Sequence, residues 1–251
     1  MRKLTVLADG TPLAAECRFH LSGTVRAGLY PSLFLLQCWN LSNEDVFRLR
    51  NTKELSVLRE DSCLASGRVS DVFRRTVPEG TVTAVAFSPG LSLWEAEISL
   101  TVPAGISVSE TVRRVLEASG TGIQLLSFPG NDPVFSRGQA FLGRAAECIL
   151  SALSMASAGA YLVPAGLCVI PAEPLPATLH LSEKDLTDRP AFADGGRKMI
   201  LSTTVTGFQL GEEMTLEYKG ETWTGRILER MVEADTVEGP WETQLLVEVH
   251  G

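Results

Sequence analysis

Pro103-Ala104-Gly105-Ile106-Ser107-Val108-Ser109-Glu110 divides the chain in character. The proline and glycine end the segment before them, and Ser107 and Glu110 stand three apart, the spacing at which a serine and a glutamate satisfy each other's orphan amides at a helix start. Val108, Val112, Val115 and Leu116 then fall on one helical stripe, and Gly120 stands where a left-handed C-cap would close it. A short amphipathic helix is expected here.

Upstream, the texture is that of strands. Leu33 to Trp39, Thr81 to Phe87 and Trp94 to Leu100 are short β-type runs separated by turn residues, and Met1 to Gly10 reads as a first strand ending in an Asp-Gly turn. Asn40 to Asp45 is the one place for a helical turn, with Ser42 or Asn43 as cap and Glu44 and Asp45 in its first turn. Residues 1–102 are thus expected as a barrel or sandwich.

Downstream of the capped helix, Ile123 to Phe128 reads as a strand, and Gln139 to Ser157 as a helix with Leu142, Ala145, Ala146, Ile149, Leu150 and Leu153 at helical spacing. Tyr161 to Val163 and Leu167 to Ile170 make a hairpin about Pro164-Ala165-Gly166. A connector follows over residues 171–190, with Pro171, Pro174, Pro176 and Pro190. Strands are then expected at Lys198 to Thr206, Glu213 to Tyr218, Glu221 to Arg230 and Gln244 to Val249, with Lys219-Gly220 closing one hairpin and Thr236 to Pro240 looping to the last strand. The fold class is β-rich α+β: a first β unit (1–102), a small α/β module (103–172), and a connector with a second β unit (173–251).

At 251 residues, 45% hydrophobic and 21% charged, the chain has globular composition with enough apolar content for real cores. Its formal net charge of −8 argues against a nucleic-acid grip or an anionic-membrane anchor. Cys17, Cys38, Cys63, Cys148 and Cys168 are odd in number, lack a CxxC pair and lie among apolar neighbours, as expected of thiols in a reducing compartment. The N-terminal apolar run is too short for a signal peptide, and the stretch from Cys148 to Ile170 is interrupted by Pro164 and Gly166, so no membrane anchor is expected.

The residues offer little chemistry. His20, His180 and His250 are far apart and lack metal-ligand spacing, and they read as surface or strand residues. Gly195-Gly196-Arg197-Lys198 lacks the phosphate-loop spacing and precedes a strand, and Ser119-Gly120-Thr121-Gly122 lacks the third glycine of a dinucleotide fingerprint. Glu95 and Glu97 alternate as a carboxylate pair on a strand would, the one motif that glycosidase machinery could use, though a solvated strand face accounts for them. No catalytic, cofactor or metal residue is therefore assigned. Trp39, Trp94, Trp223 and Trp241 are candidate interface anchors, with a sugar platform as the other reading.

Leu33 to Trp39 running into Asn40-Leu41-Ser42, the α/β insert with its hairpin from Gly159 to Pro171, and the ending with Thr222 to Ile227, Asp235-Thr236 and Gly239 to Thr243 together give the chain a resemblance to the baseplate hub proteins of contractile-tailed phages, the Mu-like and related myovirus hubs. Residues 50–80 carry no matching motif. The resemblance implies two tail-tube-like barrels per chain and a homotrimer presenting six of them. It also implies a central spike and a tail tube as partners, with tape measure and wedge proteins as further neighbours, DNA passing through the ring, and a place in a virion assembled in the host cytoplasm. Two other readings stand beside it: a carbohydrate-binding or wall-hydrolysing tail component, and the hub of a tailocin or secretion-type particle.

Overall fold

The computed structural model describes residues 2–13, 17–60, 62–163, 166–173, 176–205 and 208–250. In chain order its elements are β1 (Thr5–Ala8), β2 (Thr11–Pro12), β3 (Phe19–Arg26), β4 (Phe34–Trp39), α1 (Asn43–Asn51), β5 (Glu54–Arg59), β6 (Ser62–Val77), β7 (Gly80–Ser88), α2 (Leu91–Glu95), β8 (Glu97–Val102), α3 (Val108–Ser119), β9 (Leu125–Ser127), β10 (Gln139–Arg144), α4 (Ala145–Ser154), β11 (Gly159–Val163), β12 (Gly166–Ile170), β13 (Leu179–Ser182), β14 (Ala191–Ala193), β15 (Lys198–Thr203), β16 (Glu213–Tyr218), β17 (Glu221–Asp235) and β18 (Trp241–His250). The protein is mostly antiparallel β-sheet with few helices.

Two compact units partition the chain: residues 1–25, 32–89 and 177–251 form one, and residues 26–31 and 90–176 the other. The sequence placed a boundary near 102/103; the structure instead assigns β8 to the second unit, because β8 pairs with β10 through Leu142↔Ser99 and Arg144↔Glu97. At the other end, the boundary falls at 176/177 beside the expected 172/173.

In the first unit the strands before residue 90 and those after 177 share one 13-stranded sheet, ordered β14-β15-β18-β17-β3-β4-β7-β6-β5-β1-β2, with β16 also on β17 and β13 on β16. Alternation builds its interior: Phe34, Leu36 and Cys38 of β4 are buried while the residues between them are only partly so. Phe34 stacks on Phe87 with ring centroids 5.5 Å apart, and Leu201, Leu216, Ile227, Leu245 and Val247 continue the core in the second β portion. The expectation of two separate barrels meets a single sheet, in which no strand pairing among the described residues closes a ring. Side chains nevertheless link strands that are far apart in its order. Arg59, ending β5, donates to the Thr204 carbonyl at 3.0 Å, and Arg230 of β17 donates to the Leu64 carbonyl at 3.0 Å.

The second unit is built around α3 and α4. Ser107 caps α3 by accepting from the Glu110 amide at 3.2 Å, while the Glu110 carboxylate turns to Arg114 at 3.0 Å. Val108, Val112, Val115 and Leu116 are all buried against Ala145, Ala146, Ile149 and Leu153 of α4, each worth about 1.5–3 kcal/mol of transfer energy for a fully buried aliphatic side chain of this size. The helix expected from Gln139 begins only at Ala145. Gly143 has φ +117°, outside the helical region, and residues 139–144 take the strand pairing offered by β8; Leu142 is accordingly 82% exposed. Similarly, the strand expected from Trp94 is split into α2 and β8. The hairpin of β11 and β12 pairs as expected; its turn residues Pro164 and Ala165, like Pro174 of the connector and Thr206, lie outside the described residues. The turn foreseen at Asn40 to Asp45 extends into the nine-residue α1, capped by Ser42.

Candidate functional site

The four tryptophans are each partly buried, and each is held by a different neighbour. Trp39 ends β4 with the Arg18 guanidinium 4.6 Å above its ring. Trp241, starting β18, has two guanidiniums over it, Arg59 at 5.1 Å and Arg2 at 5.6 Å, and Arg2 also donates to the Gly239 carbonyl at 2.7 Å. Trp223 of β17 lies against Phe192 and Tyr218 at centroid distances of 5.6 and 6.5 Å. In the second unit, Trp94 stacks on Tyr30 at 5.5 Å and its indole N–H donates to the Leu29 carbonyl, which ties the segment 26–31 to that unit. The rings thus serve as local fasteners in separate places. Cation–π contacts of this exposure are worth about 0.5–1 kcal/mol each.

Sequence reasoning missed two buried carboxylates that organise the first unit. Asp235, at the end of β17, accepts from Arg18 Nη2 at 2.7 Å and from the amides of Val237 and Glu238 at 2.9 and 3.2 Å, and His20 Nδ1 lies 3.3 Å away. Burial alone would raise its pKa, but the Arg18 hydrogen bond and the two amides outweigh it, and the group is held below the ordinary carboxylate range. Beside it, the Phe19 amide donates to Thr236 Oγ1 at 2.9 Å and the Thr236 amide to the Phe19 carbonyl at 3.0 Å. This seam joins the first β portion to the last. The second carboxylate, Glu213, accepts from Arg226 Nε at 2.6 Å and lies 2.9 Å from His250 Nε2.

These arrangements orient strands. His20 and His250 pair with carboxylates, and His180 sits exposed on β13. Glu95 and Glu97 do not share a strand face: Glu95 ends α2, Glu97 begins β8, and both are exposed. Gly195 and Gly196 lie in a 3-10 turn leading into β15, and Gly120 caps α3. Among the described residues no group of three or more His, Cys, Asp or Glu side chains is placed to hold a metal ion, and no helix is long and apolar enough to cross a membrane.

The sheet of the first unit has open edges. Residues 54–59 of β5 pair with the start of β6, and beyond Arg68 the only strand pairing β6 among the described residues is β7. Ser70–Val77 therefore carries one open edge. On the branch off β17, β13 pairs among the described residues only with β16, and shallow concavities of about 220–410 Å³ open around Ser182–Arg189 and the β16–β17 turn.

No protein-family model matches the sequence, and no curated protein matches it. Solved structures do. A tail protein from Neisseria meningitidis superposes with a TM-score of 0.74 at 9% identity, over 98% of this chain and 96% of that one. The 43 kDa tail protein of prophage MuSo2 from Shewanella oneidensis gives 0.69 at 10% identity, over 100% and 97%. An Escherichia coli component of the type VI secretion system, itself structurally similar to T4 bacteriophage tail proteins, gives 0.69 at 10% identity, over 99% and 77%. At such identities the likeness is one of fold.

Proposed function

We propose that this chain is the structural hub of a contractile phage tail: three copies form a ring that joins the sixfold tail tube to the threefold central spike and leaves DNA a passage. The reading is carried by the whole-length match to the Neisseria meningitidis and prophage MuSo2 tail proteins, which takes in both β portions of the shared sheet and the α/β unit that separates them in sequence. Each β portion then acts as one tube-like unit, so that a trimer presents six to the tube and three chains to the spike. Tape measure and wedge proteins are the further neighbours of such a ring, and the protein belongs to a virion assembled in the host cytoplasm.

The chain works through its surfaces and is not an enzyme. A net charge of −8 suits a conduit, since a wall without a basic excess does not retain passing phosphates. Trp39, Trp94, Trp223 and Trp241 are in this reading fasteners that hold the ring-forming surfaces in shape.

The native mass tests the reading. Three chains of 27.1 kDa give 3 × 27.1 = 81.3 kDa, and imaging of that species should display a central hole. A dimer contradicts threefold closure. A second reading, the hub of a secretion-type particle, is favoured by the likeness to the E. coli type VI component; gene neighbourhood separates the two. The carbohydrate reading loses its geometric motive with the separation of Glu95 from Glu97, and glycan binding by the purified chain would restore it.

A further inference from the structure

Charge is divided unevenly along the shared sheet. Residues 177–251 hold fourteen acidic and seven basic residues, a net of −7, whereas residues 1–25 and 32–89 hold nine acidic and ten basic, a net of +1. Nearly all of the chain's formal charge thus sits in one β portion of a single unit. The distribution has a spatial counterpart at the open edges. Along the open edge of β6, Arg74 and Arg75 are exposed and outnumber the exposed Asp71, and Phe73 beside them is 44% exposed. At the far edge, Glu183 and Asp188 follow β13, and Glu217 and Glu221 flank the β16–β17 turn, all four exposed, with Lys184 and Lys219 among them.

Arginines and the register shift between Val69 and Asp71 blunt an edge against indiscriminate pairing. They also select: an arginine-bearing edge that repels other cations accepts an acidic surface, and the last β portion of the same chain supplies one. Two different patches of one molecule that complement each other make a heterologous, head-to-tail contact, the kind that closes into a ring when the rotation is right.

We propose that the open edge of β6, through Arg74 and Arg75, docks onto the acidic end around Glu217 and Glu221 of a second copy of this chain. The inference rests on the trimeric reading above and assigns the surfaces that make it. The contact is electrostatic and exposed, so it is weakened by salt, whose screening length is about 8 Å at 0.15 M, and it sets partner and register more than raw affinity.

The experiment is a charge swap on the full chain, read as native mass by sedimentation at fixed ionic strength. Arg74→Glu with Arg75→Glu, and separately Glu217→Lys with Glu221→Lys, should each weaken self-association roughly 100-fold, since like charges brought together cost several kcal/mol. The four substitutions combined should restore the 81.3 kDa species. A wild-type trimer unaffected by either pair overturns the assigned surfaces and leaves the hub reading standing, as does a quadruple variant that fails to reassemble. A wild-type chain that stays monomeric overturns both. Circular dichroism identical to wild type separates lost association from lost folding.

Discussion

Replacing Asp235 with alanine removes the side chain on which the seam between the two β portions turns. Its carboxylate is 3% exposed and takes hydrogen bonds from Arg18 and from the amides of Val237 and Glu238. A hydrogen bond to a charged group contributes about 1.5–3 kcal/mol; the amides of Val237 and Glu238 belong to exposed residues that water reaches once the carboxylate is gone, so each is counted at about 1. Arg18 is 37% exposed and returns to water once its partner is gone, so its share is taken at the low end. The expected loss is about 3 kcal/mol. For a chain of this length that lowers Tm by about 6–12 °C. Thermal unfolding followed by tryptophan fluorescence is the assay, since Trp39 lies beneath Arg18 and reports on the seam directly. A double-mutant cycle with Arg18→Ala should return a coupling of about 1–2 kcal/mol. A loss under 1 kcal/mol, or a coupling near zero, refutes the argument that this carboxylate holds the seam.

Trp241→Ala should cost about 2–3 kcal/mol: less than the 3–5 of a fully buried aromatic, because the ring is only partly buried, with part of the loss coming from the Arg2 and Arg59 contacts; an unchanged Tm contradicts it. Gly67→Ala should unfold the β6–β7 corner, because its Cβ would lie 2.3 Å from the Ser88 carbonyl carbon, and soluble yield with Tm checks this. Asp132, Asp185 and Asp235 all titrate below the ordinary carboxylate value. Ser182 amide and hydroxyl donors lower Asp185, while at Asp132 and Asp235 burial is outweighed by bonds from Ser109 and Arg18. A folded pKa below the unfolded one gives stability that is present above about pH 4 and lost as pH falls through the folded value. Tm should therefore hold from pH 7 to about 5 and fall below 4, with a shallower fall in Asp235→Asn; identical acid profiles for variant and wild type would count against Asp235.

What the sequence made legible was local. The α3 caps are written in Ser107 and Gly120, within one helix length of each other, and the structure has both, although the Glu110 carboxylate bonds Arg114 instead of returning to the Ser107 amide. Even the buried Glu213–Arg226 pair was within reach: a two-residue turn at Lys219-Gly220, both with positive φ, fixes the register that sets Glu213 opposite Arg226. The failures arose where a competing tertiary partner decided between two local options. Gln139 to Arg144 has helical spacing, yet β8 supplies a strand partner and Gly143 a conformation that no helix uses. Nothing near Arg18 announces Asp235, 217 residues away.

That distant pair also explains why one sheet appears where two barrels were expected. β17 is fifteen residues long, and β16 pairs only with its first six, Glu221–Arg226. The remainder would be an exposed edge in an isolated second barrel, a liability that strand pairing removes. β3 supplies the pairing, and the contacts of Asp235 and Thr236 with Arg18 and Phe19 fix where it ends. A fifteen-residue strand is readable in the sequence as alternation from Glu221 onward, but its length matters only once the number of residues its hairpin partner can satisfy is counted. The surplus obliges the two β portions to share a sheet, and among the described residues the strands with an open edge along most of their length are β6, β13 and the short β2 and β14. The two longer of these, β6 and β13, lie beside the opposed arginines and carboxylates. The long strand that welds the halves together thereby confines the outward-facing strand edges to the places where charge can govern what pairs with them.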